Sequence, residues 1–198
     1  MIDNRPAPSV RIADAVAEYR TEANVPRLLS RLRAVAAEAD PEALAAAVEP
    51  FRDIPEVAGP IYETIVARRP DDARAMVILA NAYWLSGRGP DVVGALASRA
   101  IAADATNRGA WHLWALTAER PRERMTRWEQ VTQRFPSDDL AKAALADNAA
   151  SVAGSDDDPV ARQLAIDTFV DLESRAQTTQ QRVAIGHALA ALRGETSA

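Results

Sequence analysis

Residues 69–83 read Arg69-Pro70-Asp71-Asp72-Ala73-Arg74-Ala75-Met76-Val77-Ile78-Leu79-Ala80-Asn81-Ala82-Tyr83. A breaker or small residue, here Pro70, ends one element, and an Asp or Asn two residues on, here Asp72, is placed to cap the next. Alanine follows, then a large residue, then a large–small pair. About 35 residues later, Asp104-Ala105-Thr106-Asn107-Arg108-Gly109-Ala110 leads into Trp111 and Trp114-Ala115. About 31 residues further, Phe135-Pro136-Ser137-Asp138-Asp139-Leu140-Ala141 leads into Lys142 and Leu145-Ala146. The order is kept three times. Self-similarity at this period is the signature of a helical solenoid, because one hairpin cannot bury its apolar face alone and successive hairpins must stack.

Helix start signals recur outside this stretch. Asn24 precedes Val25-Pro26 and the apolar series Leu28, Leu29, Leu32, Val35, and Asp40 precedes Pro41. Asp53-Ile54-Pro55-Glu56 has the form of a capping box. Gly87 is placed to close one helix in the left-handed conformation, and Gly89-Pro90 to start another. Thr106 or Asn107, Pro121, Ser137, Asp158-Pro159 and Thr178-Thr179-Gln180-Gln181 open the rest, and Gly194 closes the last. These signals predict eleven helices, over 9–22, 25–38, 41–50, 55–69, 72–86, 90–103, 107–119, 121–134, 138–153, 159–175 and 179–193. No segment alternates as a strand with hairpin-turn chemistry. Short connections make neighbouring helices antiparallel.

Composition narrows the chemistry. At 198 residues, 48% hydrophobic and 26% charged, the chain is long and apolar enough for one packed domain or two small ones. Its 43 alanines and few aromatics favour helix. The absence of cysteine excludes disulfides, thiolate metal sites and thiol chemistry. Two histidines, His112 and His187, are too few for a multi-histidine metal centre. A net charge of -5 argues against a broad nucleic-acid footprint. The excess of 22 arginines over one lysine, Lys142, reads as the mark of a GC-rich bacterial genome. The opening Met-Ile-Asp-Asn-Arg-Pro has no apolar stretch behind it, and the longest apolar run is Ala75–Ala80. The expectation is therefore a cytoplasmic protein with no secretory signal and no membrane insertion.

The residues at the helix crossings carry a family pattern. One first helix has Met76, Leu79-Ala80 and Tyr83. The second helices have Ala58, Tyr62, Ile65 and Pro70, then Val93, Ala97, Ala100 and Ala105, then Trp128, Val131 and Pro136. Ala165, Phe169 and Leu172 fill the same roles after an insertion around 154–158. In this order the chain resembles a tetratricopeptide repeat (TPR) protein, best over 55–153. The resemblance fades before residue 41 and leaves a single helix after 175. It implies an all-α fold of antiparallel hairpins stacked into a right-handed superhelix. The implied organisation is a flexible 1–8, one repeat domain over 9–193 and a flexible 194–198. The best repeats are 41–69, 72–103, 107–134 and 138–175. Helix 179–193 acts as a cap with Val183, Ile185, Leu189 and Leu192 inward. Arg124, in place of a small residue, and Glu49, in place of an aromatic, depart from the pattern.

Candidate catalytic groups are weak. Neither histidine has a visible partner that would make it a general base. The acidic pairs Asp71-Asp72 and Asp138-Asp139 sit at helix starts, where acids suit the macrodipole. Asp156-Asp157-Asp158 lacks the loop that binds calcium, and reads as a solvated loop with a cap. Gly87-Arg88-Gly89-Pro90 lacks the Lys-Ser/Thr of a phosphate loop. Arg120, Arg122, Arg124, Arg127 and Arg134 alternate with Glu119, Glu123 and Glu129, as on a solvated face. No catalytic residue, metal or cofactor is expected.

Trp111, Trp114 and Trp128 fall on core positions of the resemblance. Trp84 follows Tyr83, which takes the core aromatic place, so its own side chain points elsewhere. The resemblance places Arg74, Val77, Asn81 and Trp84 on the groove face of one hairpin, and Gly109, His112, Leu116 and Glu119 on the next. An asparagine at the place of Asn81 bonds the ligand backbone in peptide-binding members. Val77 stands where a carboxylate clamp needs a basic residue, so a chaperone C-terminus is not the expected ligand. The expected partner-binding groove is therefore Arg74, Val77, Asn81, Trp84, His112 and Leu116, taking an apolar or extended segment of another protein. The function implied is a non-enzymatic scaffold or adaptor. The alternatives are an enzyme or enzyme subunit on a helical scaffold, and a homo-oligomer that fills its own groove.

Overall fold

The computed structural model describes residues 6–194, so 1–5 and 195–198, both within the ends expected to be flexible, lie outside the described residues. It is built from α1 (Pro8–Glu22), α2 (Val25–Glu38), α3 (Pro41–Val48), a 3-10 turn (Glu49–Phe51), α4 (Pro55–Arg68), α5 (Ala73–Leu85), α6 (Pro90–Ala103), α7 (Arg108–Leu116), α8 (Pro121–Arg134), α9 (Asp139–Asp156), α10 (Pro159–Arg175) and α11 (Thr179–Arg193). No strand occurs among the described residues. The chain forms two compact units, one ending at Leu113 and the other beginning at Trp114.

Side-chain caps set most of the helix starts. The carboxamide or carboxylate of Asn24, Asp40, Asp72, Asn107, Asp138 and Asp158 accepts from backbone N–H groups two or three residues on. Thr178 and Gln181 form a reciprocal capping box, at 3.1 Å in each direction. Each such cap is worth about 1 kcal/mol. Gly87 (φ 72°) and Gly89 (φ 89°) bracket the turn between α5 and α6 in the left-handed region, where a side chain is disfavoured.

Four local expectations need correction. Asp53 does not cap α4: the 3-10 turn brings the Ile54 N–H onto the Phe51 carbonyl, and Ile54 becomes the N-cap with no side-chain bond. Helix α7 stops at Leu116, short of residue 119. Helix α9 runs on through Gly154 to Asp156, three residues past the expected end, so only Asp157 and the cap Asp158 of the expected acidic loop lie outside helices. Val183 is 51% exposed, because the buried stripe of α11 runs through Ile185, Leu189 and Leu192 at helical spacing, with Val183 nearly opposite.

In the first unit, α1 packs on α2 and α3, α2 and α3 pack on α4, α4 on α5, and α5 on α6. At α4 and α5, the second helix of one hairpin meets the first helix of the next. Upstream the order differs, since α2 reaches α4. The core holds Ile12, Leu28, Leu32, Leu44, Ile61, Ile65 and Met76, all essentially inaccessible. Small residues let α4 and α5 come close: a Cβ added at Gly59 would stand 4.0 Å from the Ala82 Cβ. Ala58 and Ala80 are fully buried.

In the second unit, α8 packs on α9, α9 on α10, and α10 on α11. Phe169, Leu172 and Leu189 close a core with Ala146. Trp128 and Val131 of α8 are buried as well.

Ala80 has no room to grow. Ala80→Leu is expected to cost about 1–3 kcal/mol by overpacking. Ala103, exposed at the end of α6, is expected to tolerate leucine. Thermal melts of the two variants beside the parent chain check this. An unchanged melting temperature for Ala80→Leu refutes the helix register.

Candidate functional site

The candidate residues of α5 lie on one side of the helix, at spacings of three and four residues. Arg74 is exposed, with a guanidinium nitrogen 3.4 Å from a Glu49 carboxylate oxygen. Val77 is half-buried and Asn81 is exposed. Trp84 is 39% exposed, and Leu85 beside it is 65% exposed. The start of α7 stands close to this face. A Cβ at Gly109 would lie 3.2 Å from Val77 Cγ1, so glycine permits the approach. His112 is half-buried on α7 in the same unit. Leu116, 37% exposed, belongs to the second unit. The structure thus brings Arg74, Val77, Asn81 and Trp84 onto one face, and leaves Leu116 outside that unit.

Tyr83 shows why Trp84 is outside. Its ring is half-buried, and its hydroxyl donates to the Glu63 carboxylate at 2.8 Å. The Arg88 guanidinium lies over the ring, 4.7 Å from its centre, and 3.4 Å from the same carboxylate. Burial, then the hydrogen bond and charge of Glu63, push the Tyr83 phenol up to about 12. Successive helical side chains differ by about 100°. With Tyr83 tied to α4 by Glu63, Trp84 must leave the interior.

The tryptophans expected in the core divide. Trp128 is 5% exposed, whereas Trp111 and Trp114 are half-buried. The Trp111 indole N–H donates to the Ala105 carbonyl at 3.0 Å. The Arg127 guanidinium stacks 4.6 Å from the Trp114 ring centre and donates to the Trp114 carbonyl at 2.7 Å. Arg124 donates to the carbonyls of Ala118 (2.9 Å) and Glu119 (3.3 Å). These two side chains satisfy carbonyls where α7 ends. Arg122 pairs with Asp156 and Asp158 at 2.8 and 2.7 Å. The expected solvated face holds for Arg120, Arg122 and Arg134, which are exposed, and fails for Arg124 and Arg127, which are half-buried on backbone carbonyls. That signal is readable in Arg124, which breaks the repeat pattern.

Cavities lie on both units. In the first, Arg74 also lines one of about 410 Å³ with Glu49 and Tyr62. In the second, one of about 580 Å³ is lined by Asp147, Phe169 and Leu192, and burial raises the Asp147 carboxyl above its usual range. His187 is exposed. No cluster of three or more metal-ligating side chains occurs among the described residues. None of their helices is long and apolar enough to cross a membrane.

No family model matches the chain, and no curated protein matches it in sequence. Solved structures do. One is MamA, with a TM-score of 0.61 and 17% identity over 81% of this chain and 96% of that one. Another is TTC0263, a thermophilic TPR protein of Thermus thermophilus, with a TM-score of 0.54 and 16% identity over 92% and 99%. A third is PilF of Pseudomonas aeruginosa, with a TM-score of 0.63 and 15% identity over 96% and 85%. The fold is a TPR-like helical repeat. At these identities the likeness carries the architecture and leaves the ligand to the chain's own surface.

The raised phenol of Tyr83 makes a pH prediction. The folded value lies above the ordinary value of about 10, so the unfolded chain loses this proton first. The stability tied to Tyr83 is present below about pH 10 and is lost as pH rises toward about 12. Melting temperatures across that range are expected to fall more steeply for the parent chain than for Tyr83→Phe. Parallel curves refute the assignment.

Proposed function

We propose that the chain is a non-enzymatic scaffold that holds an extended segment of another protein along the α5 face. The observation that supports this is the stripe of Arg74, Val77, Asn81 and Trp84, with a large apolar ring 39% exposed at one end. Exposed tryptophan next to exposed leucine is a poor solvent surface and a good contact surface. Asn81 offers an amide that is both donor and acceptor, suited to the backbone of an extended peptide. Val77 gives the middle of the stripe no charge, so a carboxylate-terminated ligand has no clamp there. His112 on the adjoining α7 extends the surface within the first unit. The net charge of -5 disfavours nucleic acid as the ligand.

Short random peptides displayed on phage and selected on the intact chain supply probes. Trp84→Ala is expected to weaken the recovered peptides roughly thirtyfold, the effect of truncating a typical hot spot of about 2 kcal/mol. It is expected to leave the melting temperature within about one degree, as for a surface change. Asn81→Ala acts in the same direction and more mildly. A large drop in melting temperature for Trp84→Ala places the ring in the core and removes the reading. Unchanged peptide affinity also removes it. Light scattering that finds a stable oligomer dissociated by Trp84→Ala replaces the foreign segment with a second copy of the chain.

A further inference from the structure

Thirty-four residues before Met76, Leu79, Ala80 and Tyr83 stand Glu42, Ala45, Ala46 and Glu49. On α5 three of these positions, Met76, Leu79 and Tyr83, hold large residues. On α3 and the turn after it, three of them have become glutamate, alanine and glutamate. All four line the cavity of about 410 Å³, whose far wall is α4 and α5. The missing volume and the cavity coincide.

Tyr62 of α4 lines the same space. Its side chain is only 3% exposed, and its hydroxyl has no hydrogen-bond partner among the described residues. After burial, the groups that act on this phenol are Glu49, Arg74, Asp72 and Arg52. The first three are themselves in the cavity wall, so the hydroxyl end faces it. The hydroxyl is not among the buried unpaired atoms, so solvent reaches it from the cavity, and an occupant that displaces that water must offer a polar group in its place.

The charges select the occupant. The wall carries the carboxylates of Glu42, Glu49 and Asp72 against one cation, Arg74. Asp72 is engaged as the cap of α5. Glu49 is paired with Arg52 at 2.9 Å and with Arg74 at 3.4 Å, and Glu42 with Arg69 at 3.8 Å. The two longer pairs are exposed and therefore weak. An incoming anion meets three carboxylates. An apolar side chain leaves the Tyr62 hydroxyl unsatisfied. A cation on an aliphatic stem suits both parts: methylenes on Ala45 and Ala46, the head between Glu49 and the Tyr62 oxygen. We propose that this cavity receives one lysine or arginine side chain of the segment held along α5. The proposal rests on the α5-face reading, because Arg74 belongs both to that stripe and to the cavity wall.

The peptides recovered by display on the intact chain test it, by fluorescence polarisation. They are expected to share a lysine or arginine, and its replacement by norleucine is expected to weaken binding about tenfold or more. Glu49→Gln should cost about as much, and Tyr62→Phe about fivefold, the effect of one hydrogen bond. Both variants should keep the parent melting temperature, and the loss should shrink as salt is raised. Peptides that depend on Trp84 but share no basic residue, or ignore Glu49→Gln, overturn the pocket and leave the α5 face standing. If selection returns no peptide, the α5-face reading falls. The pocket is then judged alone by titrating N-acetyl-lysine amide and following backbone amide shifts. Shifts at Ala45 and Ala46 that Glu49→Gln abolishes support it; no shifts overturn it.

Discussion

The rest of the structure depends on how closely the backbones of α4 and α5 approach. Gly59 faces the Ala82 methyl, and Ala58 and Ala80 have no accessible surface. Small side chains at a crossing bring two helices into ridge-and-groove contact. The large residues are then displaced to the seams between hairpins, where Met76 and Ile65 are buried. A bulky residue at the crossing would separate the axes and open each seam in turn, because each hairpin is buried only by its neighbours. Helix propensity favours the elements, with alanine making up much of the chain, but propensity is a weak force. The decisive term is the apolar area that stacking removes from water.

Where the alternation of small and large is broken, something else must satisfy the space. Two breaks show two solutions. At α8, Arg124 occupies a small position, and its guanidinium is drawn to the carbonyls of Ala118 and Glu119. Beside it Arg127 takes the Trp114 carbonyl and ring together. Planar donors with several N–H groups are suited to this, and a lysine in either place would supply a point charge without the stacking. At α3 no such filling occurs. Glu42 and Glu49 carry their heads toward solvent and toward Arg69, Arg52 and Arg74. Their positions in the seam stay thin, and a buried phenol opens into the gap.

Much of this is legible in the residues, and what is not has a physical cause. Caps are local, so Asn24, Asp40, Asp72, Asp158 and Thr178 announce their helices correctly, while Asp138 takes the capping place expected of Ser137. Asp53 does not, because a 3-10 turn upstream commits the backbone and shifts the cap to Ile54. The end of α7 is hidden for a different reason: its carbonyls are satisfied by side chains of the following helix. Val183 misleads because it is apolar but lies across the helix from Ile185 and Leu189. The cavity beside Arg74 is invisible as a motif. Glu49 stands out as a departure, but a void exists only once α5 is packed against α4 and the turn.

Trp84 draws its meaning from its neighbour. Rotating α5 to bury the tryptophan would require Tyr83 to give up the Glu63 carboxylate and the Arg88 guanidinium over its ring. It would also drive Met76 and Leu79 out of the core, since all share one helix phase. Those costs are spread over α4, α5 and the turn at Gly87, and no local adjustment avoids them. The indole is therefore held out on a rigid element, with few conformations to lose when something binds. Two planar groups on consecutive positions thus serve opposite ends. Tyr83 locks the helix phase from within, and that lock presents Trp84 to a partner.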